Sequence, residues 1–257
     1  MDIKKNVLIT GAGSGIGFAT AQRFAREGYT IIAVGRNKKG LEQLREAIGN
    51  EHYFILFDLI RLEKIPHLIA RIEKKVGPID ILINNAGIGL FKKFEDIPDS
   101  AIDKIVRTNL FAPMALSRAV FPSMKARGGT IVNIASVAGK RTWKHLTAYS
   151  TSKFGLIGFS NSLRRECMYY TYPISIIVVC PPAVDTPFFD NAGYYDYKKD
   201  HLGQKLLSAE EVADEIYFAV VHNKREVLVG MRAKILDKLY AFSPRFIEWL
   251  EDWVKRK

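Results

Sequence analysis

Seven short apolar runs set the constraint on this chain: "NVLIT" at 6–10, "TIIAVG" at 30–35, "YFILF" at 53–57, "IDILIN" at 79–84, "TIVNI" at 130–134, "ISIIVVC" at 174–180 and "EVLVG" at 226–230. They are rich in β-branched residues and do not alternate apolar with polar. A strand with one wet face alternates, whereas an unbroken run suits a strand covered on both faces, as in a parallel sheet between helices. Stretches with helical spacing, such as 15–27, 99–126 and 148–170, lie between the runs. The pattern predicts a single-domain α/β fold: a doubly wound, parallel, seven-stranded sheet with helices on both faces.

The 257 residues suffice for one such domain, with 48% hydrophobic and 25% charged residues in the ordinary range. Cys167 and Cys180 offer no disulfide or zinc framework, which suits a reducing compartment. With no signal-like N-terminus and no apolar stretch of about 20 residues, a cytoplasmic protein is expected. The net charge of +11 is unusual. Its lysines and arginines are scattered and no nucleic-acid motif accompanies them, so nucleic acid is not an expected partner. Two regions break the rhythm. Residues 186–207 have no clear period and suggest a substrate lid. Residues 231–257 suggest two amphipathic helical segments meeting near Pro244, a C-terminal extension packed on the domain or on a partner.

Directly after the first run comes "TGAGSGIG", with Gly11, Gly13, Gly15 and Gly17, and a helix is predicted from Ser14 or Gly15. Glycine allows a tight turn and close approach of backbone to a ligand, and a helix N-terminus presents free N–H groups to a pyrophosphate. Strand, glycine turn and helix together predict a dinucleotide site, which makes 1–230 a dinucleotide-binding catalytic domain.

Farther along, "TAYSTSKFG" places Tyr149 four residues before Lys153 with only small residues between. On a helix these two share a face. A free phenol has a pKa of about 10. A neighbouring ammonium is expected to lower it, and small intervening residues are expected to let ligands approach.

The order of Thr10, Gly11, Gly15 and Gly17, then "NNAG" (Asn84, Asn85, Ala86, Gly87), Ser136, and Tyr149 with Lys153 thirteen residues later resembles the short-chain dehydrogenase/reductase family. The resemblance covers about residues 5–230 and implies a Rossmann fold with a metal-free Ser–Tyr–Lys centre. It implies that Tyr149 is the general acid/base for a carbonyl/secondary-alcohol interconversion and that Ser136 orients the carbonyl oxygen. Lys153 would bind the nicotinamide ribose and tune the tyrosine, and Asn109 in "RTNL" would hold a water extending the proton relay. It further implies cofactor contacts from Gly11, Ser14, Gly15, Ile16, Gly17, Asp58, Asn85, Ala86, Gly87, Tyr149, Lys153, Val184 and Thr186, and a homodimer or homotetramer built through the Tyr149 helix. Internal packing of Asn109 and a turn-capping Asp58 remain alternatives.

Gly35 stands where many NAD-preferring relatives carry an aspartate, and Arg36 follows. A guanidinium suits a 2′-phosphate, so NADP(H) is expected over NAD(H), although Arg36, Lys38 and Lys39 could simply decorate a loop. After the sixth run, "CPPAVDTPF" has Pro182 where the family usually has glycine, similar to some 3-ketosphinganine reductases. Phe188, Phe189, Tyr194, Tyr195 and Tyr197 could line an apolar, lipid-like substrate, with Lys140, Arg141 and Trp143 nearby for an anionic group; they could equally pack against their own domain. Phe246, Trp249, Leu250 and Trp253 recur at helical spacing before Lys255, Arg256 and Lys257, and packing on protein is expected ahead of a membrane surface. The expected function is an NADP(H)-dependent oxidoreductase; the alternative is an NADP(H)-binding sensor without chemistry.

Overall fold

A computed structural model describes residues 4–194 and 206–245. Every run forms a strand: β1 (Asn6–Thr10), β2 (Thr30–Gly35), β3 (Tyr53–Leu56), β4 (Ile81–Asn84), β5 (Gly129–Ile134), β6 (Ile174–Cys180) and β7 (Glu226–Leu228). They make one seven-stranded sheet in the order β3-β2-β1-β4-β5-β6-β7. All pairings are parallel, with Val7 opposite Ile31 on one side and Ile81 on the other.

Both faces are covered, which is why the runs are unbroken. On one face Val7, Ile9, Ile31 and Ala33 meet α1 (Gly15–Arg26), α2 (Lys38–Ile48) and a later helix, Ala209–Val221. On the other, Leu8, Ile32, Leu82 and Ile131 meet α3 (Ile65–Val76) and α5 (Ala112–Arg127). α5 continues α4 (Asp99–Val106), and α6 (Thr147–Tyr169) packs against α4 and the 107–111 segment that joins the two. The short α7 (Phe188–Asn191) opens the lid region; Ala209–Val221 is α8, and α9 (Met231–Phe242) closes the described chain. α8 starts with a reciprocal cap between Ser208 and Glu211. The second expected C-terminal segment, with Phe246, Trp249, Leu250, Trp253, Lys255, Arg256 and Lys257, lies outside the described residues, as do Tyr195 and Tyr197.

The stretch 99–126 is helical as expected, with a feature that its spacing does not disclose: Arg107–Phe111 is π-helical, an inserted bulge between α4 and α5 that carries Asn109. Such bulges reorient a side chain at the cost of regular hydrogen bonding and cluster at functional sites. Among the described residues no helix is long and apolar enough to cross a membrane.

Ile9 is fully buried at the centre of the sheet. Ile9→Ala is expected to lower the unfolding free energy by about 2–5 kcal/mol. Urea melts check this, as a lower midpoint at unchanged slope.

Candidate active site

The winding reverses between β1 and β4, leaving a crevice beyond their carboxyl ends. The glycine turn borders it. Gly11 (φ +67°) and Gly15 (φ +51°) occupy the left-handed region. A Cβ on Gly11 would lie 2.9 Å from the Ala86 Cα, and one on Gly17 would lie 2.4 Å from the Asn85 amide nitrogen. Glycine at 11 and 17 therefore lets the turn lie against the "NNAG" segment. Gly15 abuts Thr186, whose Cγ2 would be 3.1 Å from an added Cβ. Ser14 caps α1, is exposed, and makes no side-chain capping bond. Ile16 packs on the core beneath. This open cradle of backbone and helix N–H groups fits a pyrophosphate.

Asn85 is tied to the turn: its Nδ2 donates to the Thr10 carbonyl at 2.9 Å. Asn84, its neighbour, donates to Asn133 Oδ1 at 2.8 Å, and Asn133 donates to Ser160 Oγ at 2.8 Å, a buried polar row the sequence reading missed. An asparagine inside an unbroken apolar strand was the available signal. Asp58 caps a turn, accepting from the Ile60 N–H at 3.3 Å. Arg36 is exposed just beyond β2, while Gly35 is buried against α2. Val184 is buried and bridges to Leu207 beside Thr186. Pro181, the first of the two prolines, accepts from the Val137 N–H at 3.0 Å.

The four chemistry-bearing residues do converge. Tyr149 and Lys153 lie on the buried side of α6, with the ammonium 5.7 Å from the phenol ring centre. Lys153 Nζ donates to the Ile134 carbonyl at 2.7 Å. Ser136, at the end of β5, is hydrogen-bonded through its side chain to Tyr149 and accepts from the Ala138 N–H at 3.0 Å. A Cβ on Gly87 would sit 3.4 Å from Lys153 Nζ and 3.6 Å from Asn109 Oδ1, so the "NNAG" glycine faces this centre.

Three local expectations change. First, the Asn109 amide is committed: Oδ1 accepts from Ile88 N–H at 2.9 Å, and Nδ2 donates to the Ile88 carbonyl at 2.8 Å and Ser152 Oγ at 3.0 Å. Both amide protons are used in internal packing, so a relay water would be held by another atom of the residue. Second, Ser152 and Ser150 are buried and Thr151 is exposed. Ser152 is small because it packs against Asn109, and its hydroxyl donates to the Tyr149 carbonyl at 2.6 Å. Third, Lys140 does not face a substrate; it pairs with Glu226 at 2.5 Å and Asp237 at 3.5 Å.

The phenol also departs from expectation. Burial pushes Tyr149 up to about 12, with the Ser136 hydrogen bond opposing. Burial draws Lys153 down to about 8. Desolvation leads in both cases because both groups are enclosed. Over them lies an aromatic cover: Phe188 is 5.3 Å from the Tyr149 ring, and Phe91 stacks on Tyr194 at 4.2 Å. Trp143, under the Arg141 guanidinium at 4.5 Å, packs against the same cluster.

A sequence profile for the short chain dehydrogenase family matches residues 5–194, so the chain belongs to that family. It is an NAD(P)-dependent oxidoreductase acting on CH–OH/C=O groups. Among its relatives, an uncharacterized oxidoreductase YxnA of Bacillus subtilis is 30% identical over 95% of this chain and 70% of its own length. Ketoacyl reductase HetN of Nostoc is 41% identical over 69% of this chain and 62% of its own length. A short-chain dehydrogenase from Sphingobium yanoikuyae in complex with NADPH superposes with a TM-score of 0.79 at 28% identity, over 92% of this chain and 94% of that one.

The Lys153 shift has a pH consequence. Below about 8 the ammonium is charged; above it the charge is lost, while Tyr149, at about 12, keeps its proton. Carbonyl reduction is expected to fall as pH rises through about 8 and to show no second limb up to pH ~10. Turnover at saturating reduced cofactor checks this; a profile flat across that range would remove Lys153 from the chemistry.

Proposed function

We propose that the protein is an NADP(H)-dependent reductase that interconverts a carbonyl and a secondary alcohol on an apolar substrate. The observation that carries the reading is the pair of hydroxyls, Ser136 and Tyr149, hydrogen-bonded to each other above the buried Lys153 ammonium. A carbonyl oxygen placed between them accepts from both, and donors already in position need no reorganisation as charge develops. When bound, the nicotinamide exchanges a hydride with the carbonyl carbon.

The protein's own part is the proton. An alkoxide is about as basic as hydroxide, far more basic than a phenolate. A phenol at about 12 therefore still protonates it downhill. In the oxidative direction the same residue must first ionise, so the high phenol value favours reduction near neutrality. Lys153 supplies a nearby cation that favours the transient phenolate. Asn109 acts through position, holding Ile88 against Ser152 and so the "NNAG" end against α6.

The exposed Arg36 after β2, with no acidic side chain at Gly35, supports NADP(H), and the NADPH-bound relative agrees with it. Arg23 and Arg26 lie at the far end of α1 and do not compete for this role. The aromatic cover of Phe91, Phe188, Phe189 and Tyr194 supports an apolar substrate, in keeping with the ketoacyl reductase relative. Exposed Phe111, Met114 and Phe154, on helices that touch, support a dimer through α6. Two unpaired buried cysteines fit a reducing, cytoplasmic setting.

Purified protein assayed with NADPH against carbonyls from small diketones to 3-keto long-chain lipids tests the reaction. Tyr149→Phe is expected to keep cofactor affinity within about twofold and to lose ~10²–10⁴ in turnover. Tight cofactor binding with no turnover on any carbonyl would favour a sensor. Arg36→Asp is expected to reverse the NADPH:NADH affinity ratio; an unchanged ratio would show that Arg36 only decorates the loop.

A further inference from the structure

Helix α9 packs on the domain through Ala233 and Asp237 and turns a second, apolar side to water. Ala233 is buried, and Asp237 reaches in to the Lys140 ammonium at 3.5 Å. Facing out are Met231, Ile235, Leu239 and Phe242, exposed by 70%, 52%, 48% and 92%. At ~100° per residue these four fall within an arc of about 80°, so they form one continuous stripe. The stripe runs into a groove of about 570 Å³ lined by Phe218 of α8, by Val227 and Leu228 of β7, and by Met231 and Ile235. A helix packed on a soluble domain normally directs such a stripe at the core. α9 carries one that faces water as well.

The border of the stripe is basic. Lys234 and Lys238 run along one flank, Lys224 stands across the groove, and Arg245 follows the helix end; all are exposed. Of the acidic groups at the groove, Glu226 and Asp237 are both taken up by Lys140, which leaves Glu215. Apolar side chains bordered by lysines match a lipid interface, with hydrocarbon below and phosphate headgroups at the rim. We propose that this face of α9 docks the protein on an anionic phospholipid bilayer. The net charge of +11 adds long-range attraction to such a surface. The sequence beyond α9 repeats the composition, with Phe246, Trp249, Leu250 and Trp253 before Lys255, Arg256 and Lys257. A second copy is a poorer occupant. A two-fold contact through the stripe would bring the lysine rows of the two copies together without acidic partners.

Co-sedimentation of the full chain with vesicles tests this. The protein is expected to pellet with phosphatidylcholine–phosphatidylglycerol vesicles at least about fivefold better than with phosphatidylcholine alone, and to be released by high salt. Ile235→Gln/Leu239→Gln/Phe242→Gln should lower binding roughly tenfold or more, leaving NADPH turnover on a soluble carbonyl unchanged. Lys234→Gln/Lys238→Gln should remove most of the preference for anionic vesicles. Full-length protein that stays in the supernatant with anionic vesicles overturns the proposal. So does triple-variant protein that pellets like the parent, which would assign binding to another segment. A triple variant that changes oligomeric state, from a parent that ignores vesicles, would assign the face to a second copy.

Discussion

The hydroxyl of Thr10 sits where the two halves of the sheet part, and the site is arranged around it. It accepts from the N–H groups of Asn85 and Ala86, each at 3.0 Å, and donates to the Ile83 carbonyl at 3.3 Å. One side chain thus satisfies two donors and one acceptor at the point where β1 and β4 stop pairing. Valine has nearly the same shape but would take the acceptor from the Ala86 N–H and leave the Asn85 N–H only the Ile83 carbonyl at 3.1 Å, and an N–H left without a partner costs about 1–3 kcal/mol. The clamp fixes the distance from the glycine turn to the "NNAG" segment, which is why Gly11 and Gly17 have no room for a Cβ. The cofactor cradle and the approach of Gly87 to Lys153 are two consequences of the same contact.

Below that clamp the protein accepts an expensive group. Lys153 is 3% exposed, and its lowered pKa shows that the interior disfavours the charge. The Ile134 carbonyl compensates only part of the lost hydration. Placing a cation where it weakens folding makes sense when its task is electrostatic, because a charge in a dry site acts more strongly than one in water. Arg164 gives the contrast. Its guanidinium bonds the Ile176 and Arg225 carbonyls at 2.8 Å and 2.7 Å, pinning β6 to the approach of β7, and so serves the fold.

The strands were legible because double-sided burial leaves an unbroken apolar run, and three of the seven runs, those of β1, β2 and β6, match residue for residue. The π bulge at Asn109 was not, since one inserted residue barely disturbs a 3.6-residue period. Motif spacing located Tyr149 and Lys153, because residues four apart on a helix must share a face. It could not locate Ile88 as the partner of Asn109, or Glu226 as the partner of Lys140 at a separation of 86 residues. Those are tertiary contacts without a local signature. The phenol pKa was misjudged for the same reason: the Lys153 charge is visible in the sequence, whereas the burial that overrides it is a property of the folded chain.

The aromatic cover has an ordering consequence. Gly89 lies so close that a Cβ there would meet Phe188 Cζ at 2.8 Å, so the chain is shaped to let Phe188 settle over Tyr149. The Phe91 N–H, donating to the Ala192 carbonyl at 2.9 Å, ties the loop after β4 to the end of α7. With Tyr149 only 9% exposed and the Phe188 ring 5.3 Å from its own, a carbonyl that bonds the phenol on the proposed reading would displace that ring. The Ser136–Tyr149 bond must likewise open for an oxygen to take its place. Both changes are small, a ring displaced and one hydrogen bond exchanged for two, and an apolar substrate replaces the ring contacts that it disrupts. On the proposed reading a small polar carbonyl would have the same bond to exchange but nothing to offer the displaced aromatics, so the cover would favour apolar area.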